Sequence, residues 1–209
     1  PDFRKELLHA ARERRLVTAD LTELALTPRY PDELERSATL QDGVEVLVRP
    51  IKVTDEGLIR EFHYRLSEET VYRRYRRPLK ALPHRDRVRL VNVDYDQEMA
   101  IVVVRRHEAR EELLGVGRYF VDQSTRIAEM AFTVRDDWHD RGIGSLLMSN
   151  LLSIGQQRDL AGFEAYTQAD NHRMITILMR SGFVAVGEED EDNTTHWRLI
   201  FRPDTHEGS

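Results

Sequence analysis

The sequence predicts a mixed α/β fold: one mostly antiparallel sheet of six to seven strands, with helices on both faces. Three observations predict it. Residues 99–134 hold three apolar or alternating runs joined by short polar turns, the pattern of a meander. Residues 127–134, IAEMAFTV, pass through a polar, glycine-bearing stretch, 135–145, into 146–154, LLMSNLLSI, which is apolar at helical spacing. Residues 163–168, 171–180 and 183–187 then read as strand, helix and strand, which permits one parallel pairing.

The chain of 209 residues suits one domain with an appendage. Its 40% hydrophobic content supplies a core. No apolar run approaches the ~20 residues that span a bilayer, and no secretory leader pattern opens the chain. Cysteine is absent, so disulfides and thiolate metal sites are excluded, and a cytoplasmic home fits. The net charge of −6 argues against general nucleic-acid binding. The eight histidines are scattered without ligand spacing, so no metal is expected. The chain begins with Pro1, from which a processed, trimmed or partial chain is expected.

Element by element, residues 2–16 read as a helix capped by Asp2, with Phe3, Leu7, Leu8 and Ala11 on one face. Residues 17–43 read as an extended connector, and a compact domain is expected over 44–203, followed by a disordered tail at 204–209. Residues 44–48 form a strand closed by Pro50. Helices follow at 54–66, with Leu58, Ile59 and Phe62 inward, at 67–75, and at 84–93 after Pro83. The near-continuous apolar run 99–105 is a buried strand. A charged turn spans 107–112, strands follow at 113–121 and 127–134, and a hairpin turn joins them. After the loop and helix come a strand at 163–168 and a helix at 171–180, stopped by Gly182. A short strand at 183–187, an acidic turn at 188–192 and a strand at 197–201 close the sheet.

The loop before the 146–154 helix carries chemistry. The first amides of a helix lack partners inside it and carry the positive end of its dipole. Gly142 and Gly144 let the backbone turn tightly and approach a ligand. Arg141 adds a positive charge. Such a loop suits a phosphate or pyrophosphate, although a plain strand-to-helix turn also uses glycine. It is neither a Walker loop nor a dinucleotide fingerprint. On the preceding strand Glu129, Ala131 and Thr133 point to one face, so Glu129 has only small neighbours there and leaves room for a ligand. A carboxylate so placed can take a proton from an amine nucleophile, or it can be an ordinary surface group of a half-exposed strand.

Residues 44–201 resemble the GNAT superfamily of N-acetyltransferases. In that family Gln/Arg-x-x-Gly-x-Gly/Ala follows a strand and holds the pyrophosphate of coenzyme A. Here the motif falls on His139-Asp140-Arg141-Gly142-Ile143-Gly144, with His139 as a departure. Asp170-Asn171-His172-Arg173-Met174 followed by Ser181-Gly182-Phe183 is similar to the family's second signature. Arg49-Pro50-Ile51, Arg65-Leu66-Ser67, Val93-Asp94-Tyr95-Asp96, Gly115-Val116-Gly117-Arg118 and Ala128-Glu129-Met130-Ala131 make the domain resemble bacterial protein lysine acetyltransferases most closely. Residues 1–17, with 30–35, are similar to the C-terminal end of acetyl-CoA hydrolase/transferase enzymes, which implies a fused CoA-transferase partner.

The resemblance implies a GNAT-type sheet, acetyl-CoA as cosubstrate, and direct attack by an amine, protein lysine above all, in a ternary complex. It implies that Glu129 is the catalytic base. Phe132, Thr133 and Val134 would hold the pantetheine arm, Arg141, Gly142, Ile143, Gly144 and Ser145 the pyrophosphate, and Asn171 and Met174 the coenzyme from the second helix. Many GNAT enzymes place a tyrosine acid four residues before the Gly of Gly-Phe; here that position is Leu178. Two other functions stay open: an acetyl-CoA-binding regulatory module of the fused transferase, without chemistry of its own, and an acetyltransferase for small amines, which shares the chemistry. The run Tyr72-Arg73-Arg74-Tyr75-Arg76-Arg77 reads as a solvated helix face. The acidic turn reads as solvated too, with attraction of a basic substrate as the lesser reading.

Overall fold

The computed structural model describes residues 28–107, 110–187 and 193–201. The first described elements are a 3-10 turn, Asp32–Leu34, and a short strand β1 (Arg36–Thr39) that pairs antiparallel with β2 (Glu45–Pro50). This edge strand lies in the segment read as a connector. It has no apolar alternation, because its place depends on backbone hydrogen bonds to β2. The expected N-terminal helix, the acidic turn at 188–192 and the tail at 204–209 lie outside the described residues.

After a 3-10 turn at Val53–Asp55 come helices α1 (Glu56–Tyr64), α2 (Glu68–Tyr75) and α3 (His84–Val91). Ser67 caps α2 by accepting from Thr70 N–H at 3.1 Å. The meander follows as β3 (Glu98–His107), β4 (Arg110–Val121) and β5 (Ile127–Val134). The expected charged turn at 107–112 is a correction: both strands run through most of it. Arg105 pairs with Glu112 at 2.7 Å and Arg106 with Glu111 at 3.5 Å, so the charges there are cross-strand partners.

Helix α4 (Ile143–Gln157), strand β6 (Gly162–Gln168), helix α5 (His172–Arg180), the two-residue β7 (Val184–Ala185) and β8 (Thr194–Ile200) complete the sheet. Its order is β1-β2-β3-β4-β5-β6-β8-β7. Among the described residues the sheet therefore has eight strands, slightly more than the expected six or seven. Every pairing is antiparallel except β5 with β6.

The layers follow from strand alternation. Leu151 of α4 and Phe132 crowd Gly117, while the neighbouring Val116 and Arg118 face a cavity walled by α1, α2 and α3. So α4 covers one face and the first three helices cover the other. Leu147, Leu151, Phe163 and Leu178 are wholly buried. Burying each such side chain contributes about 1.5–3 kcal/mol. Buried charges are paired: Arg49, 1% exposed, makes a two-pronged contact with Asp55 at 2.7 and 2.9 Å and reaches Glu111 at 2.9 Å.

Candidate active site

The site begins where two strands part. β5 and β6 pair only at Ile127↔Gly162, Ala128↔Phe163 and Glu129↔Glu164, yet β5 runs on to Val134 and β6 to Gln168. Arg135 N–H donates to Leu114 O at 3.0 Å. By alternation the peptide groups of Thr133 turn toward β4, while those of Phe132 and Val134 turn into the opening on the β6 side. An opened strand edge presents donors and acceptors to an extended ligand. Glu129 stands at its closed end and is half-buried. Of the three expected arm contacts, Phe132 and Val134 face the opening; Thr133 turns its buried side chain toward the cavity under α1–α3.

The loop leaving β5 is braced on every side. Arg135 is buried and pairs with Glu112 at 2.6 Å and Asp137 at 2.5 Å. Those bonds outweigh the effect of burial and hold its pKa above the usual arginine value. Asp136 accepts from Ser67 N–H at 2.8 Å, Ser67 Oγ at 2.7 Å and Thr70 Oγ1 at 2.7 Å, which stitches the loop to the start of α2. Trp138 is buried between the guanidinium groups of Arg105 and Arg141, 4.8 and 4.5 Å from its ring. His139 Nε2 lies 3.0 Å from Val134 O. Arg141 also pairs with Asp42 at 2.7 Å, so its charge is shared with that carboxylate.

Gly142, at φ +90°, turns the chain into α4. No acidic residue occupies the first turn of α4 or of α5, so the positive ends of both helices stand uncompensated by acid there. The start of α4 lies against α5, since a Cβ on Gly144 would lie 2.7 Å from Ile177 Cδ1, and Arg173 in the first turn of α5 reaches Asp140 just before α4. This arrangement fits the phosphates of a coenzyme. Ile143 is buried and can offer only its backbone; Ser145 is exposed. Asn171 caps α5, its Oδ1 accepting from Met174 N–H at 3.3 Å. Arg173, in the same first turn, grips Asp140 with two nitrogens at 3.0 and 3.1 Å. Leu178 is fully buried, so no acid reaches the site from that position.

The sequence profile of the family described as acetyltransferase (GNAT) domain matches residues 45–184. The chain belongs to the GNAT acetyltransferase family. It is 29% identical over 157 residues to acetyltransferase PA5475 of Pseudomonas aeruginosa, covering 75% of this chain and 83% of that one. It is 33% identical over 154 residues to acetyltransferase Pat of Mycolicibacterium smegmatis, covering 72% of this chain and 44% of Pat. The chain thus spans less than half the length of Pat. Its fold matches the GNAT domain of S. lividans PAT with a TM-score of 0.75 at 24% identity, covering 83% of this chain and 100% of that one.

This GNAT protein is an acetyl-CoA-dependent N-acetyltransferase, which moves an acetyl group to an amine. Among the described residues no helix is long and apolar enough to cross a membrane, and no group of three or more His, Asp or Glu could hold a metal. Two features of the GNAT site escaped the sequence reading. The Asp136–Ser67–Thr70 stitch and the Asp140–Arg173 pair join residues far apart in the chain. A wider cleft of about 450 Å³, beside Tyr30, Tyr95 and Arg158, lies at the opposite end of the sheet and contains none of the expected site residues.

Proposed function

We propose that this acetyltransferase acts on the ε-amine of protein lysine, with Glu129 as the base. The observation that carries the reading is the place of Glu129, at the last paired position before β5 and β6 separate. A thioester carbonyl lying in that opening is within reach of a nucleophile approaching Glu129. The amine nitrogen bonds to the carbonyl carbon, the carbon–sulfur bond breaks, and the thiolate of coenzyme A leaves. Glu129, directly or through one water, takes the proton the amine must lose. Peptide N–H groups of Phe132 and Val134 hold the arm and polarise the carbonyl. The amides from Gly142 to Ser145, with Arg141, hold the pyrophosphate, and the side-chain nitrogen of Asn171, left over from its capping role, supplies a further contact together with Met174. With Leu178 buried, the thiolate leaves unaided or takes its proton from water.

Lysine as acceptor is supported by the likeness to Pat. Calorimetric titration with acetyl-CoA and free CoA is the first test, and one-site binding is expected. Turnover of lysine-bearing proteins and of small amines is then compared for the native chain and Glu129→Gln. Loss of turnover with retained binding supports the base. Native turnover of small amines alone would reject lysine. Binding without turnover of either class would mean a regulatory acetyl-CoA-binding module.

A further inference from the structure

We propose that His139 is a positioning residue that joins the strand holding the coenzyme's arm to the loop holding its pyrophosphate. The inference rests on the reading of the coenzyme site given above and adds a residue that the reading leaves unassigned.

Two observations carry it. The Val134 carbonyl turns toward the opening between β5 and β6, by the same alternation that turns Arg135 N–H to Leu114 O. It is the last acceptor on that opened edge, and His139 Nε2 meets it at 3.0 Å. A carbonyl only accepts, so His139 carries its proton on Nε2 and donates. The bond closes a short ring of chain, from the end of β5 to the residue that opens the glycine loop. The loop is fixed independently on its other sides, by Asp136 to Ser67 and Thr70 and by Arg141 to Asp42. His139 is therefore the side chain that sets the last residue of β5 against the loop.

A ligand that touches both the strand and the loop feels that joint; a ligand that touches only the loop does not. Glutamine can supply a donor from the same position, and alanine cannot.

The test compares His139→Ala and His139→Gln with the native protein, using acetyl-CoA, free CoA and adenosine 3′,5′-bisphosphate as probes. For His139→Ala, the KM for acetyl-CoA and the Kd for CoA are expected to rise about three- to tenfold, the worth of one net hydrogen bond. Turnover number at saturation, KM for the acceptor and the thermal midpoint should stay near native values. Adenosine bisphosphate affinity should change less than about twofold, within the range of a lost contact that ligand does not use. His139→Gln should recover most of the CoA affinity. The proposal is overturned if glutamine rescues nothing, or if both probes weaken equally, which would make His139 a phosphate contact or a general prop of the loop. Absence of CoA binding by the native chain would instead overturn the coenzyme-site reading itself.

Discussion

Glu129 and Glu164 stand opposite each other in the final rung of the parallel β5–β6 ladder. Registered neighbours share a sheet face, so the two carboxylates are side by side. Glu164 is engaged by His196 at 3.0 Å and Arg198 at 3.1 Å. Glu129 borders the opening. Glu129→Gln should lower kcat by about 100-fold or more, the usual worth of a positioned base, with acetyl-CoA affinity unchanged. Glu164→Gln should cost less than about tenfold, since its carboxylate is already engaged by His196 and Arg198. Steady-state assays beside calorimetry separate the two; equal losses would remove Glu129 from its role.

Asp136 governs how the loop holds α2. Burial alone would raise its carboxyl pKa, but the bonds from Ser67 and Thr70, with His139 nearby, outweigh burial and hold it below the ordinary value. A carboxyl with a depressed folded pKa stabilises above its unfolded value and loses that contribution as pH falls through the folded one. Asp136→Ala should therefore lower the thermal midpoint at pH 7, by a stability loss of about 1 kcal/mol. The difference from native should shrink below about pH 4, near the unfolded aspartate value. Parallel melts at the two pH values check the sign.

Gly142 and Gly144 should respond differently to alanine. Gly142 sits at φ +90°, and a Cβ there would meet only the Gln41 side chain at ordinary contact distance, its Nε2 at 3.4 Å. The strain there is in the backbone and should cost about 1–2 kcal/mol. At Gly144 the backbone is ordinary helix, and the obstacle is the terminal methyl of Ile177, which can rotate away. Gly142→Ala should thus lose more stability and more CoA affinity than Gly144→Ala. Denaturant titration and calorimetry on both variants give the order directly.

Arg49 holds a buried charge cluster. Arg49→Met strands Asp55, which is 4% exposed, without its main partner. Removing one member of a buried pair costs about 3–5 kcal/mol. The double change Arg49→Met with Asp55→Asn should cost less than the two single changes added together, because it removes both charges. Urea unfolding of the three variants measures the coupling.

The strand Ile127–Val134 was legible to the residue, because its alternation is a local pattern. The helix expected at 171–180 was legible to within a residue, since Asn171 is its cap and His172 its first helical residue. Helix α4 was longer than its apolar run suggested, since Ile143 and Gly144 continue the helix without lengthening the run LLMSNLLSI. Strand β1 and the first residues of β4 were missed for a shared reason. They are polar and held by pairing, so the turn and connector signals around them outweighed a strand pattern that was never there.

By itself the sequence determined the order of strand, glycine loop and helix, the side of the strand that Glu129 takes, and the family to which those motifs belong. These depend on periodicity and on residues within a turn or two of one another. Tertiary structure alone decided where β5 and β6 separate, which peptide groups face the gap, and how Asp136 reaches Ser67, Arg173 reaches Asp140 and His139 reaches Val134. Those relations depend on register and on the closeness of elements far apart in the chain. No local pattern encodes them, because a pairing ends where packing of the whole sheet and its helices draws the strands apart.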